Sequence, residues 1–192
     1  MIRSFAEVRE GQGQGALVTP LFWNGRVIPG VRRGANRNVR LPDGREGWVQ
    51  ADALRPEGAR RSKVSPKALA DRIKSLLGTP YLWGGRTALG LDCSGFTQQV
   101  LAEHRVRLPR DAEQQFRASR PVRAETKLRL GDLAFFAAKG RPPSHVGLAL
   151  GGDYYAHAQG SVRISSLDPD NPLYEKPLAE QFVGYRRPPG SG

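Results

Sequence analysis

The sequence contains a single cysteine, Cys93, among its 192 residues. One thiol excludes an internal disulfide and any CxxC zinc site, because both need at least two cysteines. Three roles remain for it. Cys93 can pack as a small hydrophobe, ligate a metal together with other residue types, or act as a nucleophile.

Long hydrophobic runs are also missing. No apolar stretch approaches the roughly 20 residues that a membrane-spanning helix needs, so we expect no membrane insertion. Charged side chains interrupt the first eleven residues, which therefore lack the apolar segment of a secretory signal. As written, the sequence predicts a cytoplasmic protein, whereas a chain truncated at its N-terminus would fit a location in the cell envelope.

Acidic residues are scarce: 18 Asp and Glu stand against 30 Lys and Arg, a formal net charge of +12. The excess is spread along the chain, and no RNP-like aromatic stripe or helix-turn-helix pattern accompanies it. We therefore expect a solvated basic surface and no specific nucleic-acid partner. Apolar residues make up 39%, which is typical of a globular protein. The sequence does not predict an oligomeric state.

Residues 1–56 contain short strand-like runs separated by turn residues, with no helical periodicity. Asn24-Gly25 predicts a hairpin between strands 16–23 and 26–31, and Pro42-Asp43-Gly44 predicts a turn into strand 46–50. About five short strands in so few residues indicate a small all-β barrel. Residues 57–64 are interpreted as a linker, and residues 188–192 as a tail.

Residues 65–187 begin with helices and continue as strands, which predicts an α+β domain. Ser65 and Pro66 predict a helix start, and Leu69, Ile73, Leu76 and Leu77 fall on one helical face. Further helices are expected near Cys93 and over 111–119. Strands are expected over 131–137, 145–150, 154–158 and 181–186.

Cys93 is predicted to stand at a helix start, where unpaired N–H groups and the helix dipole favour the thiolate and lower the pKa of the thiol. A nucleophilic cysteine needs a base, normally histidine. His104 is interpreted as a surface residue, whereas His145 and His157 lie on two strands joined by a tight turn. A two-residue turn would direct the two rings to opposite faces, so a catalytic pair requires an odd-length loop or a bulge.

Spacing alone leaves the chemistry open. A packed cysteine with two incidental histidines fits the pattern, and so does a zinc site formed by one cysteine and two histidines. The zinc site lacks a carboxylate or a second thiol at a suitable offset. We predict no metal and no organic cofactor.

The flanking residues resemble the NlpC-type family of papain-like cysteine peptidases. The segment 78–96, GTPYLWGGRTALGLDCSGF, is similar to the family's Tyr-x-Trp-Gly-Gly and Asp-Cys-Ser-Gly-Phe motifs, and four further blocks follow in order. Those blocks are LPRDAEQQ at 108–115, GDLAFF at 131–136, SHVGLAL at 144–150 and AHA at 156–158. The segment 41–54, LPDGREGWVQADAL, resembles a bacterial SH3-like domain, which implies such a barrel over residues 1–56.

The resemblance implies a papain-like catalytic domain with Cys93 as nucleophile, His145 as base and then acid, and His157 as the group that orients it. It also implies the Tyr81 hydroxyl as an oxyanion donor beside the backbone N–H of Cys93. We interpret Trp83 as a structural residue.

The substrate implied by the family is a murein stem peptide, hydrolysed between γ-D-glutamate and diaminopimelate. Similarity to members with an SH3-like domain implies short peptides with a free N-terminal L-Ala. Asp92 and Asp111, with Ser94 as neighbour, are the candidates for binding that amine, although Asp92 also fits a helix cap and Asp111 the first residue of a helix. Two alternatives remain: an inactive cell-wall or nucleic-acid binding module, and an amidase or acyltransferase acting on another substrate.

Overall fold

A computed structural model describes residues 5–56, 65–123 and 125–190. The chain divides into two compact units, with the division between Arg61 and Ser62. The predicted linker, 57–64, lies outside the described residues. In the described ranges, every helix is too short or too polar to cross a bilayer.

The first unit is a five-stranded antiparallel sheet. Its strands are β1 (Phe5–Arg9), β2 (Leu17–Phe22), β3 (Ile28–Arg33), β4 (Asn36–Arg40) and β5 (Glu46–Gln50), and short 3₁₀ turns cover Gly11–Gly13 and Ala51–Ala53. The strand order is β2-β1-β5-β4-β3. Four buried side chains form its core: Val8, Val39, Leu41 and Val49. This is the all-β unit that the sequence predicts, and its assignment as an SH3-like barrel stays a prediction.

The predicted hairpin at Asn24-Gly25 is wrong. A turn does form there, since the N–H of Gly25 donates to the carbonyl oxygen of Phe22 at 2.8 Å and Asn24 has φ 62°. The strands on either side nevertheless lie at opposite edges of the sheet, because β2 pairs with β1 and β3 pairs with β4. The second predicted turn does join a pair, β4 and β5.

The second unit contains four helices and eight strands among its described residues. In chain order they are α1 (Pro66–Leu76), β6 (Arg86–Thr87), β7 (Gly90–Leu91), α2 (Cys93–Ala102), α3 (Ala112–Ala118), β8 (Arg120–Pro121), β9 (Leu133–Phe136), β10 (His145–Gly151), β11 (Tyr154–Gln159), β12 (Ser161–Ser166), α4 (Lys176–Ala179) and β13 (Phe182–Arg187). Six strands form one antiparallel sheet in the order β12-β11-β10-β9-β13-β8, and β6 pairs with β7. The α+β class is confirmed.

Helix α1 begins as its sequence predicts. The hydroxyl of Ser65 accepts the N–H of Ala68, and Pro66 occupies the first turn, where its missing N–H costs nothing. Three of the four predicted apolar positions are buried. The fourth, Leu77, is 42% exposed because the helix ends one residue earlier and Leu77 has extended backbone angles.

Helix α2 packs against β10 and β11. Phe96, Val100 and Leu101, predicted for its buried side, are all at most 2% exposed. His104 lies beyond the end of α2 and is half-buried, so its interpretation as a surface residue on that helix is wrong. This packing fixes the first residue of α2, Cys93, against the sheet.

Candidate active site

Asp92 sets the start of helix α2. Its Oδ1 accepts the N–H of Gly95 at 2.6 Å, which makes it the N-cap, and its Oδ2 accepts the N–H of Gly84 at 2.9 Å. The carboxylate therefore ties the glycine loop that precedes β6 to the first turn of the helix. The cap alternative for Asp92 is observed, whereas its contact with a substrate amine stays a prediction.

Arg110 completes a small charged cluster with Asp92 and Ser94. Its guanidinium forms an ion pair with Oδ2 of Asp92 and donates to the hydroxyl of Ser94 at 2.9 Å. Burial by itself would raise the pKa of Asp92, but the Arg110 guanidinium and the N–H of Gly95 outweigh it and hold that pKa below its usual value. Sequence reasoning did not find this pairing, because 18 residues separate the two charges.

Gly95 has no room for a side chain. A methyl group there would overlap the carbonyl oxygen of Gly85 and approach Oδ1 of Asp92 to 2.9 Å. We expect Gly95→Ala to lower the free energy of unfolding by about 1–3 kcal/mol through this overpacking. Urea denaturation measures the change. Because alanine is the better helix former by about 1 kcal/mol, a stabilised variant would contradict the crowding argument.

Cys93 is the first residue of α2 and is buried. Its Sγ lies 3.9 Å from the carbonyl oxygen of Ser144 and is also hydrogen-bonded by the N–H of Val146. These two groups flank His145, so the thiol lies against the beginning of β10. The N–H groups of Cys93 and Ser94 also face the sulfur.

The expected lowering of the Cys93 pKa is wrong. Burial raises the pKa of the thiol and outweighs the backbone N–H groups that lower it, and the nearby charge of Asp92 raises it further. The helix start thus supplies donors around the sulfur without making it a resting thiolate. An attack by this sulfur requires a base to accept its proton.

His145 and His157 lie on one face of the sheet and are hydrogen-bonded to each other. The register pairs Gly147 with His157 and shifts between Ala149 and Gly151, which is the bulge that a catalytic pair requires. The Nε2 of His145 lies 2.9 Å from the Nδ1 of His157, and the two rings are perpendicular.

Gly147 makes the diagonal contact between the two imidazoles possible. A Cβ at this position would lie 2.8 Å from the carbonyl oxygen of Ala156 and 3.2 Å from the Cβ of His157. With only a hydrogen there, the ring of His157 can lean across β10 toward His145. The glycine of the SHVGLAL block therefore has a steric role in the site.

Both histidines are held neutral. Burial lowers the pKa of His145 to about 3, with a further contribution from the charge of His157. Burial, and then the charge of Arg163, lowers the pKa of His157 to about 3 as well. A neutral imidazole has a free lone pair, so His145 is in the correct protonation state to act as a base.

Tyr81 lies in the loop that precedes β6. Its N–H donates to the carbonyl oxygen of Gly160 at 2.9 Å, and it bridges to Leu91, one residue before Asp92. Burial raises the pKa of Tyr81, and the charges of Cys93 and Asp92 raise it further. The phenol therefore keeps its proton and remains a hydrogen-bond donor.

Asp111 and Trp83 differ from the buried residues around the thiol. Asp111 is the exposed N-cap of α3, and it forms a capping box with Gln114. Trp83 is 87% exposed, and its interpretation as a structural residue stays a prediction. Both side chains are accessible to a ligand.

Two further polar residues extend the pair of imidazoles. Ser165 and Glu175 continue the hydrogen bonding from His157, and neither was singled out in the sequence. Ser165 lies on β12, which carries no clear strand pattern, and Glu175 lies just before α4. Across the described ranges, no group of three or more His, Cys, Asp or Glu side chains is arranged to hold a metal ion.

Comparison with known proteins identifies the family. The model of the NlpC/P60 family matches residues 78–186, more than half of the chain. The chain belongs to the NlpC/P60 family. The match spans Cys93, His145 and His157, and it confirms the resemblance that the five motif blocks indicate.

Relatives of this NlpC/P60 protein carry peptidase names. Dipeptidyl-peptidase 6 of Lysinibacillus sphaericus is 35% identical over 154 residues, covering 73% of this chain and 52% of that protein. A γ-D-glutamyl-L-lysine dipeptidyl-peptidase of Bacillus cereus is 33% identical over 154 residues, covering 78% of this chain and 45% of that protein. The chain thus spans about half the length of these curated relatives.

A solved structure has a similar fold. The crystal structure of an NlpC/P60 family protein from Bacillus cereus has a TM-score of 0.73 and 25% identity to this chain. The likeness covers 97% of this chain and 61% of that chain. It therefore extends over most of the residues that precede the family match.

Proposed function

We propose that this NlpC/P60 protein is a cysteine peptidase that hydrolyses the bond following γ-D-glutamate in murein stem peptides. One observation carries the proposal. A single cysteine at a helix N-terminus lies against the strand that begins with His145, whose ring is hydrogen-bonded to a second imidazole at 2.9 Å. A thiol, a base and an orienting group are the parts that nucleophilic catalysis needs.

The proposed reaction proceeds in two halves. As the sulfur of Cys93 attacks the amide carbon, its proton passes to His145 and a carbon–sulfur bond forms. The carbon–nitrogen bond then breaks, and His145 returns the proton to the leaving amine. Water, deprotonated by the same imidazole, attacks the thioester and releases the carboxylic acid and the free thiol.

The negative charge that develops on the carbonyl oxygen needs donors fixed in advance. We assign the backbone N–H of Cys93 and the hydroxyl of Tyr81 to this role. The first N–H of a helix has no partner inside that helix, and the raised pKa of Tyr81 keeps its phenol protonated. These two groups approach the thiol from the helix and from the loop before β6.

The name of one relative supports a γ-D-glutamyl bond as the bond that is hydrolysed. Which residue follows γ-D-glutamate in the substrate is a question for experiment. One relative is named for γ-D-glutamyl-L-lysine, whereas the family resemblance of this sequence favours diaminopimelate. Both relatives are named dipeptidyl-peptidases, and an enzyme of that kind acts beside a free amino terminus. Asp111 is our first candidate for binding the amine, because its carboxylate is exposed, and Asp92 with Ser94 is the second.

The first test is digestion of four peptides by the purified protein, read by mass spectrometry. They are L-Ala-γ-D-Glu-diaminopimelate, L-Ala-γ-D-Glu-L-Lys and the N-acetylated form of each, with Cys93→Ala protein as the blank. We expect cleavage after γ-D-glutamate in the free-amine peptides. Product joined to an added amine would instead indicate an acyltransferase. No cleavage by folded protein would overturn the peptidase proposal in favour of a binding module.

Removing the charge of Asp111 tests the amine site. Asparagine caps a helix as well as aspartate does, so Asp111→Asn removes a negative charge and leaves α3 in place. We expect KM for the free-amine peptide to rise about threefold to tenfold, the range for an exposed charged contact. Steady-state kinetics measures this change.

Glu113→Gln is the matched control, because Glu113 lies two residues further along and pairs with Arg117. It should leave KM unchanged. A KM for Asp111→Asn equal to that of the wild type would remove Asp111 from the amine site and leave the peptidase proposal intact.

A further inference from the structure

We propose that Ser165 and Glu175 are positioning residues that fix which ring nitrogens of His145 and His157 carry protons. The inference rests on the proposed function, because it assigns His145 as the base that serves Cys93. It adds two residues and a direction of hydrogen bonding to the pair of imidazoles.

The contacts form an unbroken chain. The Nε2 of His145 lies 2.9 Å from the Nδ1 of His157, and the Nε2 of His157 lies 2.9 Å from the Oγ of Ser165. The hydroxyl of Ser165 in turn donates to Oε1 of Glu175. The other carboxylate oxygen, Oε2, is held by the guanidinium of Arg163 at 2.7 Å.

The fold brings these groups together on one face. Strand β12 pairs Ser165 with Tyr155 and Arg163 with His157, and directly paired residues of an antiparallel sheet share a face. Glu175 is the residue before α4, so it reaches the same face from the segment that follows β12. The side chains of His157 and Ser165 are buried, at 0% and 1% exposed, so water does not replace these contacts.

The carboxylate of Glu175 sets the donor-to-acceptor direction of every hydrogen bond in this series. A carboxylate only accepts, so the proton of Ser165 is directed to Glu175 and its oxygen accepts from Nε2–H of His157. The Nδ1 of His157 then has no proton and accepts from Nε2–H of His145. By elimination, the Nδ1 of His145 keeps its lone pair for the proton of the thiol.

The negative charge of Glu175 also favours the proton transfer to His145 during the reaction. When His145 becomes an imidazolium, the Glu175 carboxylate, 3.7 Å from Nε2 of His157, is the negative charge at the other end of the chain. The charged groups that face the pair are Glu175 and Arg163, and the rings of Tyr155 and Phe136 pack beside it. Of these two charged groups, Glu175 is the negative one and Arg163 the positive one.

A substrate-free measurement tests the proposal. Long-range ¹H–¹⁵N correlation spectra report the tautomer of each imidazole, and the chain contains only three histidines. We expect the Nε2–H tautomer for both His145 and His157 in the wild type. In Glu175→Gln the amide can donate to Ser165, which reverses the chain and shifts both rings toward Nδ1–H. Ser165→Ala removes the acceptor of His157 and should mix its tautomers.

Kinetics gives the second readout. We expect both variants to lower kcat by about tenfold to a hundredfold, the range for groups that orient a functional histidine, with KM unchanged. Ser165→Thr keeps the hydroxyl and should restore most of kcat. The matched controls are Ser166→Ala, a buried neighbour in β12 bonded to the N–H of Asp168, and Glu180→Gln in an exposed ion pair.

The outcomes separate this proposal from the peptidase proposal. Shifted tautomers without cleavage of any peptide would support the hydrogen-bond chain and overturn the assigned reaction. Unchanged tautomers, with kcat within about twofold of the wild type, would overturn the roles of Ser165 and Glu175 and leave the peptidase intact. If Ser165→Ala does not fold, Glu175→Gln and Ser165→Thr decide the question.

Discussion

Replacing Cys93 with alanine should abolish nearly all hydrolysis of the stem peptide. Without the sulfur no thioester forms, and the neighbouring donors and imidazoles have no nucleophile to assist. In enzymes whose nucleophile and base act as a unit, removing the nucleophile costs a factor on the order of 10⁶ in kcat. Mass spectrometry of the released amine over long incubations measures the loss.

The variant should remain folded and should still bind its substrate. Cys93 lies at a helix start where Asp92 supplies the cap, and alanine keeps that geometry. We therefore expect an unchanged circular dichroism spectrum and retained peptide binding by calorimetry. Alkylation of wild-type protein with iodoacetamide should inactivate it at one equivalent, because Cys93 is its only thiol. Turnover by a pure, folded Cys93→Ala protein at a rate close to that of the wild type would exclude thiol catalysis.

Acid should destabilise the second unit from about pH 6.5 downward. Burial lowers the pKa of both His145 and His157 from 6.5 to about 3 in the folded state, so unfolding takes up protons between these two values. The free energy of unfolding therefore falls as pH falls through 6.5, with a slope of up to about 1.4 kcal/mol per pH unit for each imidazole. His157 is completely buried and His145 half-buried, so we expect His157 to contribute more.

Chemical denaturation at a series of pH values measures this slope. Asp92 has a lowered pKa, so its contribution is lost only as pH falls below 3.8. The slope between about pH 5 and pH 6.5 therefore belongs to the histidines. His157→Gln should remove most of it, and His145→Gln a smaller part. An unchanged slope in His157→Gln would show that its imidazole is protonated in the folded protein.

The elements that local chemistry defines were predictable from the sequence. Ser65 and Asp92 each precede a helix as caps, and a cap acts within one turn of its own position. Asp111 was expected as the first residue of its helix and is instead the cap one residue before it. For the histidine pair the sequence stated only a condition, that an odd-length loop or a bulge must bring both rings to one face; the bulge is present, although Gly147 and not His145 lies directly opposite His157. These features depend on residues a few positions apart.

Long-range pairing was not predictable. The turn at Asn24-Gly25 has the expected local form, yet the partners of the flanking strands are chosen by packing elsewhere in the sheet. Arg110 and Asp92 form an ion pair that no local spacing marks, and Ser165 lies on a strand without clear alternation. The predicted direction of the Cys93 pKa shift was wrong, because the position of a residue at a helix start does not indicate how deeply its side chain is buried.

The last strand of the chain, β13, lies inside the sheet, between β9 and β8. During synthesis, residues 145–159 leave the ribosome before residues 182–187. The edge of β9 that pairs with β13 therefore stays unpaired until β13 has been made. An open edge is a template for pairing with other chains. We therefore expect a chain shortened before Phe182 to aggregate. The sheet that carries His145 and His157 would then be complete only after β13 has been synthesised.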